Sequence, residues 1–312
     1  LYISFLGAGN HALSTLIPAF NSSNTFLYNI ASNSGISGLH AARKFKFLAT
    51  TTDPEEIIND KKTSAIVITT KHDSHADLVI RGLECGKNIF VEKPLCLTFS
   101  ELEKIKTIYN KATNSANQPP ILMVGFNRRF SPLIVKAKKL LDKISEPKSF
   151  IMSVNAGAVP KDHWVHDYEK GGGRIVGEAC HFIDLLLFLN GSPIKNCSKL
   201  VMDSVTNDTI SINIKFENGS IGTIHYFANG SKSYPKERLE IFASGRILQL
   251  NNHRELIGYG WPNFTKTKLW RQDKGHHACV QAFIDAIINN KPNPIPIDEI
   301  FEVSQSSIEI NK

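Results

Sequence analysis

No run in the 312 residues approaches the roughly 18 consecutive apolar side chains that span a bilayer. Phe182 to Leu189 comes nearest and is far too short, so no membrane partner is expected. No basic-then-apolar secretory leader opens the chain. It begins on the strand-like residues Leu1 to Leu6 rather than on methionine, so further sequence is expected upstream. The five cysteines (Cys85, Cys96, Cys180, Cys197 and Cys279) are odd in number, and none pairs at the two-residue spacing of a zinc or redox site. Reduced thiols, a cytoplasmic location and no metal site are the expectation. There is no internal repeat and no low-complexity linker. The net charge of +7 is spread along the chain, with Lys136, Lys138 and Lys139 reading as a solvated helix face, which argues against nucleic acid and suits phosphate-bearing small ligands. One further absence bears on chemistry: no aspartate or glutamate precedes Asp53.

What is present begins with a nucleotide-binding pattern. The apolar strand Tyr2 to Leu6 runs straight into Gly7-Ala8-Gly9-Asn10-His11-Ala12, and Leu13, Leu16, Ile17 and Phe20 then fall on one helical face. This is the G-x-G-x-x-A form of the dinucleotide fingerprint. Gly7 permits the tight turn, Gly9 lets backbone approach a pyrophosphate, and Ala12 is small enough for close helix–strand packing. Strand and helix patterns then alternate: strands at Phe26–Ser32, Ala65–Thr69, Asn88–Val91 and Ile121–Phe126, a helix at Ser74–Gly86, and a Thr98-to-Glu101 capping box opening another helix. Such alternation predicts an α/β fold with a doubly wound, mostly parallel Rossmann sheet over residues 1–127.

A dinucleotide site that prefers NAD carries an acidic residue about 20 positions after the glycines. Here the second strand ends in Ser32-Asn33-Ser34, with Arg43 and Lys44 a short helix away. Hydroxyls and amides serve either a ribose hydroxyl or a 2′-phosphate. NAD or NADP is therefore expected, with the nearby cations tipping the balance towards NADP.

Residues 128–312 read as an α+β domain. Ile210, Ile212, Ile214 and Phe216 alternate with polar residues, Asn218-Gly219 makes a hairpin turn into Ile221–Phe227, and Arg238–Ala243 and Ile247–Leu250 continue a mainly antiparallel open sheet. Before that sheet, Gly171-Gly172-Gly173 opens an apolar helix carrying Glu178, His181 and Asp184 at successive spacings of three. Residues three and four apart share a helix face, so both carboxylates can flank the imidazole, and histidine exchanges protons near neutral pH. A buried histidine with ordinary hydrogen-bond partners is the plainer reading of the same pattern.

Glu92-Lys93-Pro94, with the Gly7-Ala8-Gly9 loop upstream and the glycine run and His181 downstream, resembles the Gfo/Idh/MocA oxidoreductases over essentially the whole chain. Val154-Asn155-Ala156-Gly157 through Trp164 to His181 is similar to the oxidoreductase half of bacterial bi-domain proteins, which would place a fused domain upstream. The resemblance implies an NAD(P)-dependent dehydrogenase acting on a secondary hydroxyl of a sugar, cyclitol or nucleotide sugar, and a homodimer or homotetramer. It implies that Lys93 contacts the reacting oxygen, that Pro94 follows a cis peptide and that Glu92 borders the cofactor. His181 would be the general acid/base. Many relatives carry an aspartate four residues before this histidine. Here that position is Gly177, and Glu178 beside it is the candidate replacement.

Thr69, Thr70, His72 and His75 are further cofactor candidates, where relatives contact ribose and nicotinamide, with Asn127 bordering the same site; His72 and His75 could also be read as metal ligands, and Asp73 and Asp77 as helix-start residues. Arg128, Lys161, Trp164 and Arg174 are candidates for substrate contact, since polar groups beside an aromatic suit a sugar ring. Three rival functions stay open: an NAD-dependent glycosidase that oxidises its substrate transiently, an imine or biliverdin-type reductase, and a non-catalytic cofactor-binding module.

Overall fold

The computed structural model describes residues 1–115 and 118–312. Two compact units emerge, Leu1–Gly125 with His276–Ser304, and Phe126–Gly275 with Gln305–Lys312. The expectation of a second domain running from residue 128 to the end is thus corrected at its far end. The reason is aromatic packing: Phe283, on the helix His276–Ile288, meets Phe20 and Phe90 edge-on with ring centroids 6.3 and 5.5 Å away. A segment remote in sequence thereby completes the first core.

In the first unit, β1 (Tyr2–Leu6), β2 (Phe26–Ala31), β3 (Ala49–Thr51), β4 (Ala65–Ile68), β5 (Asn88–Val91) and β6 (Leu122–Val124) form a sheet in the order β3-β2-β1-β4-β5-β6. Every pairing is parallel. This is the doubly wound dinucleotide-binding order. Its central strands are apolar on both faces, as a sheet covered on both sides by helices requires: all four residues of β4 are buried. Its helices include α1 (Ile17–Asn21), α2 (Ile36–Phe45), α3 (Pro54–Ile58), α4 (His75–Glu84) and α5 (Phe99–Ser115), with the helix His276–Ile288 added from the far end of the chain. The capping box is formed, with Glu101 N–H donating to Thr98 Oγ1 and Thr98 N–H to Glu101 Oε2. The first helix departs from expectation. Ala12–Leu16 is wound as a π-helix before α1, so Leu16, Ile17 and Phe20 are buried while Leu13 is only partly covered.

The second unit holds α6 (Pro132–Leu141), α7 (Cys180–Asn190) and eight strands, β7 (Ser149–Asn155), β8 (Ile194–Val201), β9 (Ile210–Phe216), β10 (Ile221–Phe227), β11 (Glu237–Ala243), β12 (Arg246–Asn251), β13 (Glu255–Tyr259) and β14 (Lys266–Lys268). Their order is β14-β13-β12-β11-β7-β10-β9-β8. All pairs are antiparallel except β7 with β10. Alternation decides the faces: Ile212, Ile214, Ile224, Tyr226 and Leu239 are buried. Against that inner face lies α7, where an added Cβ on Gly222 would come within 2.7 Å of Leu186 Cδ2. Among the described residues no helix is long and apolar enough to cross a membrane.

Candidate active site

The carboxyl ends of β1, β2, β4 and β5 deliver the first group of candidates. Gly7 has φ +106, and a Cβ there would strike the Thr69 backbone at 2.7 Å, so glycine is required. Thr69 Oγ1 in turn donates to the Gly7 carbonyl at 2.9 Å, locking the loop to the end of β4. Gly9 is exposed, and a Cβ on it would meet nothing within 4 Å. Its bare backbone face, with exposed Asn10 and His11 following, fits the close approach of a dinucleotide pyrophosphate.

At the end of β2, Ser32 Oγ lies 2.5 Å and Ser34 Oγ 2.9 Å from Ser37 Oγ in the first turn of α2, with Asn33 exposed beside them. Ser37 joins this group unanticipated, its only local signal being the i+3 spacing from Ser34 at a helix start. Arg43 and Lys44 lie in the last turn of α2, roughly 10 Å along the helix from these serines.

The peptide bond Lys93–Pro94 is cis. His75 is fully buried, its Nδ1 2.7 Å from the Pro94 carbonyl and its Nε2 3.2 Å from that of Thr70. Burial holds its pKa below the ordinary value, against the pull of those two carbonyls. Ser74 donates to the Thr70 hydroxyl at 2.7 Å, and the His72 ring lies 5.6 Å from that of His75. His75 is therefore a member of the turn's framework. Among the described residues no three His, Cys, Asp or Glu side chains gather as a metal site.

Glu92, mostly buried, lies 3.4 Å from Nε2 of the half-exposed His11. Burial pushes its carboxyl upward, but the hydrogen bond and charge of His11, with Lys93 and His276, outweigh this and hold it below the usual range.

In the second unit, His181 lies on α7, 8% exposed, its ring 6.1 Å from that of Phe126. The turn before it, Ile175–Ala179, is π-helical. Glu178 therefore stands in the π-turn, and His181 and Asp184 in the α-helix that follows it. Tyr226 Oη donates to Glu178 Oε2 at 2.6 Å, and Arg174 Nε to Oε1 at 3.2 Å. Asp184 is paired with both Arg129 Nε, at 3.1 Å, and Nη2, at 2.5 Å. π-turns recur at functional positions in proteins, and here one immediately precedes the candidate base.

The substrate candidates divide. Arg174 is buried and holds the Gly157 carbonyl, Asp208 and Glu178 while its guanidinium covers the Tyr226 ring. Arg128 forms a two-point pair with Glu237, at 3.0 and 2.9 Å, and covers Phe182. Asn127 donates to the Lys274 carbonyl. These three are structural in their visible contacts. Lys161 is exposed and Trp164 partly so, the latter beside His163. Glu237, Asp208, Tyr226 and His253 were not anticipated. Glu237 stands at an inward position of an alternating strand, where a carboxylate must be paired, and that was the available signal. Burial raises its carboxyl, but Arg128 and His253 drive it well below the normal range.

Residues 1–117 match the profile of the Gfo/Idh/MocA oxidoreductase family, NAD-binding Rossmann fold, and residues 134–249 match the Gfo/Idh/MocA C-terminal domain. The chain belongs to the Gfo/Idh/MocA family. Myo-inositol 2-dehydrogenase of Thermotoga maritima is 26% identical over 213 residues, covering 65% of this chain and 61% of the relative. The scyllo-inositol 2-dehydrogenase (NAD(+)) of Bacillus subtilis is 34% identical over 151 residues, 47% of this chain and 41% of the relative. The chain thus spans less than two thirds of either relative. A levoglucosan dehydrogenase solved with NADH and levoglucosan shares the fold at a TM-score of 0.86 and 22% identity, covering 99% of this chain and 96% of that one.

Proposed function

We propose that this chain is a dehydrogenase that uses a nicotinamide dinucleotide to oxidise a secondary hydroxyl of a cyclitol or sugar. The observation that carries the reading is the Glu92-Lys93-Pro94 turn at the carboxyl end of β5, on the same sheet edge as the glycine loop. The bound nicotinamide would supply the hydride acceptor. Lys93 would donate to the substrate oxygen and stabilise charge developing there. His181 would take the hydroxyl proton, a contribution of about 10²–10⁴ in rate for a well-placed base. Glu178, gripped by Tyr226 and Arg174, would position the π-turn that leads into the base rather than touch substrate. Gly7, Ala8, Gly9, Asn10 and His11 would hold the pyrophosphate, with Thr69 fixing their loop.

NAD(H) is the cofactor this reading favours. The family profile names it, and Ser32, Ser34 and Ser37 offer hydroxyls to the ribose. The relatives' printed names support cyclitols and anhydrosugars as the substrate class. A homo-oligomer is part of the proposal. Ile151, Ile221, Phe227 and Phe242, 38 to 51% exposed, leave the outer face of the eight-stranded sheet apolar, and light scattering tests it.

The test is a panel of cyclitols and sugars mixed with the protein and NAD+ or NADP+, followed by absorbance of the reduced nicotinamide. The reading predicts turnover with at least one polyol. Release of an aglycone without net reduced nicotinamide would establish the glycosidase instead.

A further inference from the structure

We propose that His11 is a proton-linked ligand of the cofactor's pyrophosphate, and that Glu92 is the group that keeps it charged. The inference rests on the dinucleotide-binding reading of the first unit and deepens it.

A carboxylate close beneath a diphosphate site is an electrostatic liability unless a cation answers it. Glu92 is built in from both sides. Behind it, Gly125 provides the room: a Cβ there would lie 2.7 Å from Glu92 Oε1. In front of it, His11 Nε2 lies 3.4 Å away, and His11 itself is half-exposed, two residues after the open backbone face of Gly9. The other charged or titratable groups acting on the pair among the described residues include Lys93 on the same turn, His75, which is buried and feels the charges of Glu92 and Lys93, and His276, whose ring centroid is 5.9 Å from that of His11. The hydrogen bond to Glu92 raises the His11 pKa, against burial and Lys93. Glu92 thus favours the protonated form of the half-exposed His11 imidazole, and a diphosphate bound at the glycine loop would add further negative charge in its favour. Cofactor binding and proton binding must then reinforce each other reciprocally.

The experiment is NADH binding to the intact protein between about pH 6 and pH 9, read by fluorescence, with calorimetry in two buffers of different ionisation enthalpy to count protons. NADH is the probe because the 2′-phosphate of NADPH titrates near pH 6 itself. The expected result is an affinity that falls as pH rises, by up to about tenfold per unit, with uptake of up to one proton per NADH. His11→Asn should abolish the slope and hold the affinity near the wild-type value at high pH. Glu92→Gln, which keeps an acceptor but removes the charge, should shift the decline to lower pH, while His276→Asn keeps the slope. Saturable wild-type binding with no pH dependence, or a His11→Asn protein with the wild-type slope, overturns the inference and leaves the cofactor reading standing. Failure of the wild-type protein to bind NADH or NADPH at any pH removes both.

Discussion

The imidazole Nδ1 of His75 lies 2.7 Å from the carbonyl oxygen of Pro94, the residue after Lys93. Its other nitrogen faces the carbonyl of Thr70 at 3.2 Å. A neutral imidazole has one N–H, so only one of these carbonyls is served at a time, and the shorter contact marks Pro94 as the acceptor. A side chain on α4 thereby anchors the turn that presents Lys93.

His75→Asn keeps a donor at the Nδ1 position, whereas His75→Gln places it at Nε2. Asn is expected to preserve most of kcat, while Gln and Ala lower it about tenfold or more, since a buried unsatisfied carbonyl costs about 1–3 kcal/mol. NADH affinity should move little in all three. Because burial lowers the His75 pKa below the usual 6.5, the unfolded chain binds the proton more readily. Its contribution to stability is therefore complete above that value and fades as pH falls towards the folded pKa. Urea midpoints at pH 7 and pH 5 should differ less in His75→Asn than in the wild type.

Lys93→Ala and His181→Ala should each reduce kcat by about 10²–10⁴ while leaving NADH affinity within a few-fold of wild type. Steady-state rates and fluorescence titrations on the same preparations check this split.

Ser32→Asp should set a carboxylate where a 2′-phosphate would lie. Like-charge contact costs several kcal/mol, so the ratio of NADH to NADPH affinity should rise by at least about tenfold. Parallel titrations with the two nucleotides measure it.

Glu237 carries Arg128, Lys274 and His253 at 2.8 to 3.0 Å, with no solvent exposure of its own side chain. Removing it strands a buried guanidinium, and Glu237→Ala should lower unfolding free energy by about 3–5 kcal/mol. Its depressed carboxyl means that this stability is present above the ordinary carboxylate range and lost as pH falls through the folded value. Urea unfolding at neutral and acid pH reads both effects.

The parts legible in the sequence were those written in local spacing. Gly7 and Gly9 between an apolar strand and a helix, the Thr98–Glu101 cap, and the alternation of Ile210, Ile212 and Ile214 each depend on neighbours a few residues away. Illegible parts depended on partners far along the chain. Arg174 meets Asp208 across 34 residues, Arg129 meets Asp184 across 55, and Arg128 meets Glu237 across 109. Nothing near an arginine in sequence says whether it points at substrate or at a distant acid. The π-turns at Ala12–Leu16 and Ile175–Ala179 escaped for another reason: their composition is that of an ordinary helix, and the extra residue per turn is set by packing. Phe283 likewise joined the first core only through contact with Phe20 and Phe90.

The most direct test of the central claim is a fluorescence titration of the purified protein with NADH and, separately, NADPH, after release and identification of any nucleotide already bound. Saturable binding of NADH at one site per chain, tighter than NADPH, is the predicted result. No binding of either, with no nucleotide released, would contradict the dehydrogenase reading and leave a module without cofactor chemistry.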